Sequence, residues 1–354
     1  MTEIFKEKLS KKEIGGIKMY KCKGYLLFVV FCLVLLVISL NIILVDAQKY
    51  VLKFGHDYIP DSPCNHAALK FKEIVEEKTG GNVKVEIYPA MQLGSGREMI
   101  EGMQLGMVQG VALPSSNFSG FDMRISIPDL PFLFSSIEQC HEILDGDIGS
   151  ELLDVLKDHG MIGAAWWESG FKCFTANFPI THPDDYIGKK IRVMPSPILV
   201  AQFEAYGANG IPIDFSELYN ALQQGVVDGQ ENPLVAIYNM KFYEVQDYIT
   251  LSYHGFLGYI VAFSKDWIEK LPEEYQNIIL NAAQEVTPMQ RAEIAKLSEE
   301  KYLPEIIAYG VKIVELTEEQ RAAFEDKAQP VYEVMNGMLK EDGQKLLKKF
   351  LDAD

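Results

Sequence analysis

The sequence predicts an α/β protein of two lobes, each an open and mostly parallel sheet carrying helices, with long C-terminal helices bracing the pair. Three observations predict it. From Tyr50 to Leu113 the hydrophobic pattern reads strand, helix, strand, helix, strand, an order that demands a parallel sheet with crossover helices. Strand and helix patterns resume from about Gly170, and from Pro272 onward the pattern is helical. The 354 residues are enough for two cores. The expected boundaries are 48–169 with about 256–297 for the first lobe, and 170–255 with about 298–354 for the second.

The elements follow in order. Residues 1–47 hold seven lysines against four acidic residues and include the apolar run "GYLLFVVFCLVLLVISLNIILV" (24–45). Val45 and Ala47 satisfy the small-residue rule of an export-signal cleavage site, so a signal peptide is expected, with Met19 as an alternative start. An uncleaved anchor is the competing reading, since the run is nearly long enough to span a bilayer. Either reading puts the remainder in the periplasm or at the cell surface. Tyr50–Gly55 alternates as a strand. Ser62 and Pro63 read as N-cap and first helical residue, with Ala67, Ala68, Phe71, Ile74 and Val75 on one helical face. Gly80 and Gly81 end that helix, and Val83, Val85 and Ile87 form the next strand. A second helix carries Met99, Ile100 and Met103, followed by the apolar "GVAL".

In the second unit "KKIRVMPS" (189–196) reads as a strand, and "ILVAQFEAYG" as a helix closed by Gly207. "IPIDF" reads as a short strand, with Asp214 and Glu217 as a capping-box pair opening a helix over Ser216–Gln224. "GVVDG" reads as the next strand, and "YIVAFS" (259–264) as a return to the first sheet. Pro288 should divide the long C-terminal helical stretch, and Thr317 with Gln320 should cap a further helix.

Composition excludes some functions. Beyond residue 47 the chain carries 26 basic and 46 acidic residues, a surface that repels nucleic acid and anionic lipid. Any anionic ligand needs a locally positive pocket. Only Cys64, Cys140 and Cys173 lie beyond residue 47, so one disulfide at most is open to the mature chain, with Cys140 and Cys173 as the pair in question. No cofactor, metal or catalytic signature is present. The six histidines show no metal-ligand spacing, "YGANG" and "LGSGRE" lack the spacings of nucleotide loops, and no serine sits in a nucleophile elbow. Asp228 and Glu231 are three apart, which in a strand points them to opposite faces, so a glycosidase pair would need a turn between them.

Two residues keep an open choice. Arg192 faces the side of its strand opposite Ile191 and Val193, and its partner is either a protein carboxylate or a ligand carboxylate gripped by two parallel bonds. Asn232, before Pro233, either caps the helix from Leu234 or reads a ligand with its amide. Phe215 is core or a platform under a ligand, and of Trp166 and Trp167 at least one should be core.

Taken together, "GKKIRVMPSP" (188–197), "IDFSELYNALQQGVVDGQENPL" (213–234) and "KFYEVQDYITLSYH" (241–254) resemble the DctP-type solute-binding proteins of TRAP transporters. "HAALKFKEIVEEKTGGNVKVEIYPAMQLGSGREMIEGMQLG" and "DLPFLF" fit the same family, so the resemblance runs from about Tyr50 to the C-terminus. It implies a periplasmic-binding-protein-like fold whose lobes close on an organic acid, and delivery of that acid to membrane permease subunits driven by an ion gradient. The protein is expected to be a monomer and not an enzyme. The resemblance makes Arg192 the carboxylate clamp, Asn232 the amide beside it, Phe215 the ring against the ligand and His254 a second-lobe pocket residue. His56 and Glu98 fall in first-lobe loops that read hydroxyls, and Trp167 helps to set pocket size. Where many members have a second arginine this chain has Lys172, a point charge without the bidentate fork, which favours sugar acids or uronates over four-carbon dicarboxylates. The competing readings are a secreted glycoside hydrolase using Asp228 or Glu231, and an anchored receptor feeding a sensor.

Overall fold

The computed structural model describes residues 50–353 together with Phe31, so the expected signal peptide lies outside the described residues. The elements in chain order begin with β1 (Tyr50–His56), α1 (Pro63–Lys78), β2 (Val83–Tyr88), α2 (Gly96–Gln104) and β3 (Gly110–Pro114). Next come α3 (Ile137–Asp145), α4 (Asp147–Asp154), β4 (Met161–Ala176), β5 (Lys190–Val193), α5 (Pro197–Ala205), β6 (Asn209–Pro212), α6 (Leu218–Gln223) and β7 (Gly229–Pro233). Then follow α7 (Leu234–Asn239), β8 (Tyr248–Leu251), β9 (Phe256–Ser264), α8 (Lys265–Ile268), α9 (Glu273–Glu285) and α10 (Thr287–Leu297). The chain closes with α11 (Leu303–Tyr309), β10 (Lys312–Glu315), α12 (Glu318–Met338) and α13 (Glu341–Leu351).

The strands run in the order β2-β1-β3-β9-β4-β7-β5-β6, with β8 pairing β4 and β10. Two three-stranded parallel blocks are therefore present, β2-β1-β3 and β7-β5-β6, and β8 and β10 form a further parallel pair. Antiparallel pairing through β9 and β4 joins them. The 16-residue β4 is the shared spine. Met161–Phe171 pairs with β9, and from Lys172 the strand pairs with β7 instead. Two register breaks, between Gly163 and Ala165 and between Glu168 and Gly170, interrupt its alternation. Gly170 takes φ +97°, a conformation open to glycine and strained for other residues, just before the change of partner.

Local sequence explains most boundaries. Ser62 accepts from the Asn65 amide and Pro63 opens α1, whose apolar face of Ala67, Ala68, Phe71, Ile74 and Val75 is buried. Pro288 divides the C-terminal stretch into α9 and α10, and Thr317 with Gln320 forms the capping box of α12. Three expectations are corrected and one open question is answered. "GVVDG" is a turn rather than a strand. Its Asp228 amide donates to Lys190 O and its carboxylate accepts from Lys190 N, which holds the turn beside β5 and delays β7 to Gly229. The strand expected in "IPIDF" starts earlier, at Asn209, and ends at Pro212. Asp214 and Glu217 form no capping box. A 3₁₀ turn over Phe215–Glu217 leads directly into the short α6. Cys64, Cys140 and Cys173 are all free and buried, so no disulfide joins Cys140 to Cys173.

The C-terminal helices reach both blocks. Phe324 of α12 joins an aromatic cluster with Phe174, Tyr186 and Tyr206, while Val331 and Met335 pack among residues of α3 and α4. Leu346, Leu347 and Phe350 of α13 belong to that same second cluster, beside segments assigned by sequence to the first lobe. Among the described residues no helix is long and apolar enough to cross a membrane.

Candidate functional site

A cavity of about 140 Å³ opens where the two parallel blocks face each other across the ends of β1, β5, β7 and β9. It lies outside the carboxyl ends of parallel strands, the usual position for ligands in open α/β sheets. Arg192, Asn232 and Phe215 all line it, and so do Met194, Leu257, Asp57 and Tyr259. The turn after β3 contributes Asn117 and Phe121. Ser119 Oγ donates to Pro195 O at 3.2 Å and Ser116 Oγ to Met194 Sδ at 3.1 Å, fastening that turn over the cavity to the loop after β5. Ala90 and Met91 sit in left-handed conformations beside the cavity, held by bonds from their amides to Tyr58 O and His56 O.

Arg192 is 1 % exposed. Its Nε donates to Ile213 O at 2.8 Å, and its guanidinium lies 5.9 Å from the Phe215 ring centroid. Among the described residues no carboxylate forms an ion pair with it. Burial pulls its pKa down to about 10, and the negative charges of Glu231, Asp214 and Asp57 oppose that pull. A buried cation without a protein counter-ion is costly. Asn232 stands at the end of a polar chain: its amide donates to Gln230, Gln230 donates to Thr175 Oγ1 at 3.0 Å, and that hydroxyl donates to Gln246 at 3.0 Å. The chain orients the amide at the cavity wall. Phe215 is held edge-on by Tyr58 and Phe242.

The other five expected site residues do not line the cavity. Lys172, fully buried, donates from Nζ to Glu231 Oε1 at 2.5 Å. Gly255 makes room for it, since a Cβ there would lie 2.8 Å from Lys172 Cε. His254 meets the same carboxylate at 2.6 Å, contacts Ser252 Oγ at 2.7 Å and stacks on Phe174 at 3.8 Å. With Nε2 donating to Glu231, its Nδ1 accepts from Ser252. Burial lowers the His254 pKa to about 4, so the ring is neutral at pH 7. Trp167 is core, donating to Ala283 O at 3.1 Å. His56 is buried against Asn65 at 3.1 Å, and Glu98 caps its own helix through Ser95.

The acids of the hydrolase reading are both committed elsewhere. Asp228 holds the turn before β7. Burial alone would raise the pKa of Glu231, but Lys172 and His254 overcome it and hold the carboxylate well below the usual range. Gln202 donates to it as well, at 2.9 Å. The alternation of β7 thus sends Gln230 and Asn232 one way and Glu231 the other.

Sequence reasoning missed Asp57 and Tyr259. The Tyr259 hydroxyl lies 3.1 Å from both oxygens of the Asp57 carboxylate, and both side chains are buried. The available signal was position: Asp57 directly follows β1, and Tyr259 lies within β9.

Comparison with known proteins places this architecture. Residues 54–337 match the model of the bacterial extracellular solute-binding proteins, family 7, DctP. The C4-dicarboxylate-binding periplasmic protein DctP of Rhodobacter capsulatus is 40 % identical over 291 residues, 82 % of this chain and 87 % of that protein. A TRAP periplasmic solute-binding protein from Desulfovibrio salexigens, solved with bound orotic acid, superposes with a TM-score of 0.82 at 38 % identity, covering 85 % of this chain and 97 % of that one. A sugar acid binding protein from Advenella mimigardefordensis, in complex with galactonate, gives 0.82 at 32 % identity, covering 87 % of this chain and 100 % of the other.

Proposed function

Because this chain belongs to the family 7 extracellular solute-binding proteins, the DctP type of TRAP transporters, we propose that it captures a carboxylate-bearing small molecule on Arg192 and hands it to the membrane permease subunits of its transporter. The observation that carries this reading is the buried guanidinium of Arg192, turned to a cavity and left without a protein carboxylate. A ligand carboxylate supplies the missing counter-ion through two parallel N–H···O bonds. Asn232 offers its amide beside it, and Phe215 supplies a flat apolar face. The ligand classes are sugar acids or uronates and four-carbon dicarboxylates. The preference for sugar acids cannot rest on Lys172, whose charge is spent on Glu231.

Opening and closing has a natural pivot. The bulge at Gly170 lies one step before β4 exchanges β9 for β7, so residues up to 169 and residues from 172 can rock about it as two lobes. Ligand held between the lobes favours the closed arrangement, the form the permease would recognise. Export out of the cytoplasm is part of the same proposal, on the strength of the N-terminal sequence pattern.

The test is a thermal-shift screen of the purified protein and its Arg192→Ala variant against uronates, aldonates, dicarboxylates and oxo acids. A ligand that binds only the folded state raises the wild-type melting temperature. Carboxylates should do so for the wild type and not for the variant. Equal shifts in both proteins would refute the clamp.

A further inference from the structure

The cavity wall carries carboxylates as well as guanidinium groups: Asp214, which is exposed, and Asp57, which is buried. Asp57 lines the same space as Arg192, is 4 % exposed, and forms no ion pair among the described residues. Its side-chain partner there is the hydroxyl of Tyr259, whose single proton is shared between two oxygens at 3.1 Å each. Its own backbone amide is a further donor, but the two carboxylate oxygens together accept about four bonds, so Asp57 keeps acceptor capacity for a ligand. Every buried polar group unfilled by protein is costly unless a ligand or water supplies the partner.

Building on the carboxylate-clamp reading, we infer that Asp57 determines specificity. The ligand presents its carboxylate to Arg192 and a hydrogen-bond donor, a hydroxyl or an ammonium, to Asp57, and the site discriminates against dicarboxylates. The physical reason is a difference of partners. A hydroxyl or ammonium donates to Asp57 and completes its hydrogen bonds. A second ligand carboxylate has nothing to donate, and two buried carboxylates close together cannot both stay ionised. The cation that could rescue a second carboxylate is Arg97 at the cavity rim, but its side chain is 75 % exposed and already bonded to Glu101 at 2.8 Å.

The protonation of Asp57 supports this assignment. Burial raises its pKa to about 7, opposed by the Tyr259 hydroxyl, a backbone hydrogen bond and the charge of Arg192. The groups around it are Arg192 from β5, Tyr259 from β9, the adjoining Tyr58 and Cys64 of α1. Near neutral pH a dicarboxylate can therefore enter only with a proton on Asp57, which then becomes a donor. Aliphatic dicarboxylates remain ionised above about pH 6, so this proton is drawn from solvent. Affinity for a dicarboxylate accordingly falls as pH rises through the Asp57 range, relative to that for a hydroxy acid.

The experiment is calorimetry on the full mature chain with matched probes that differ at one end: galactonate against galactarate, and γ-hydroxybutyrate and γ-aminobutyrate against succinate. For the wild type the donor-bearing member of a series should bind at least about tenfold more tightly than its diacid. Asp57→Asn, which keeps the shape and removes the charge, should close that gap to within about threefold. If the variant fails to fold, the wild type alone decides. The preference for the donor-bearing member should widen between about pH 6 and about pH 8. The butyrate pair tells whether the donor is a hydroxyl or an ammonium, and tight binding by either supports the requirement. Diacids that bind as tightly as their partners, through Arg192 and with no change in Asp57→Asn or with pH, would overturn the inference while leaving the clamp intact. If no acid binds in an Arg192-dependent way, the clamp itself falls and this inference with it.

Discussion

Two lysine or arginine side chains are fully buried among the described residues, and their surroundings could hardly differ more. Lys172 and Arg192 are each 1 % exposed or less. Lys172 meets Glu231 at 2.5 Å, a carboxylate that also takes His254 and Gln202, so its charge is answered within the protein. Arg192 has a backbone carbonyl, an aromatic ring and an open cavity. Burial alone therefore does not mark a binding residue. On the proposed clamp reading, the missing partner does. One strand serves both regions, since Glu231 leaves β7 towards Lys172 while Asn232, the next residue, turns to the cavity of Arg192.

The largest expected effect breaks the paired side. Lys172→Ala strands Glu231 as a buried charge and should cost about 3–5 kcal/mol of stability in urea unfolding. Replacing both members, Lys172→Met with Glu231→Leu, should cost far less. A double variant as damaged as the single one would mean that the pair matters for packing rather than charge. Arg192→Ala is the opposite case. Ligand affinity should fall about 100-fold or more, close to 3 kcal/mol, while the ligand-free protein keeps its unfolding midpoint or gains a little. A large loss of apo stability would show that Arg192 is structural after all.

A third test uses pH. Asp129 bonds Ser115 at 2.7 Å, and its pKa is raised from 3.8 to about 7, mainly by burial, with Lys172 opposing the shift. For an acid raised in the folded state the ionised form is the penalised one. Its contribution is therefore favourable at low pH and is lost as pH climbs through the range from 3.8 to about 7. Asp129→Asn lacks this titration. Its stability should gain on the wild type across that window by something on the order of 4 kcal/mol and then level off. A constant difference at all pH values would contradict the raised pKa. The smallest effect belongs to the aromatic neighbour. Phe215→Leu should weaken ligand binding by roughly threefold to tenfold, the size of a partly exposed cation–π contact and its apolar area, with little change in apo stability.

Much of this was legible in the sequence, and the failures have causes. The strand and helix order of the first block, the divided C-terminal helices and the Thr317 cap follow directly from periodicity, proline and capping residues. Arg192, Phe215 and Asn232 converge on one cavity because each stands at or just after the end of a second-block strand. The sequence does not place Lys172 and Trp167, because β4 does not show in its pattern, nor His254, which lies in the loop between β8 and β9. Two bulges break its alternation, so a period-two pattern never extends along its 16 residues. His56 and Asp57 adjoin at the end of β1, and which of them enters the cavity depends on the twist of the last strand residue, which hydrophobic pattern does not encode. The turn at Gly225–Asp228 reads as strand in the sequence because its two valines mimic one. A single long-range pairing to Lys190 decides otherwise.

The most direct measurement is a crystal structure of the protein with the tightest acid from the screen. The account predicts a ligand carboxylate held by the terminal nitrogens of Arg192 at about 2.8 Å, with Asn232 alongside and the Lys172–Glu231 pair unchanged. A ligand seated on Lys172 or Arg97, with Arg192 paired to a protein carboxylate, would contradict it.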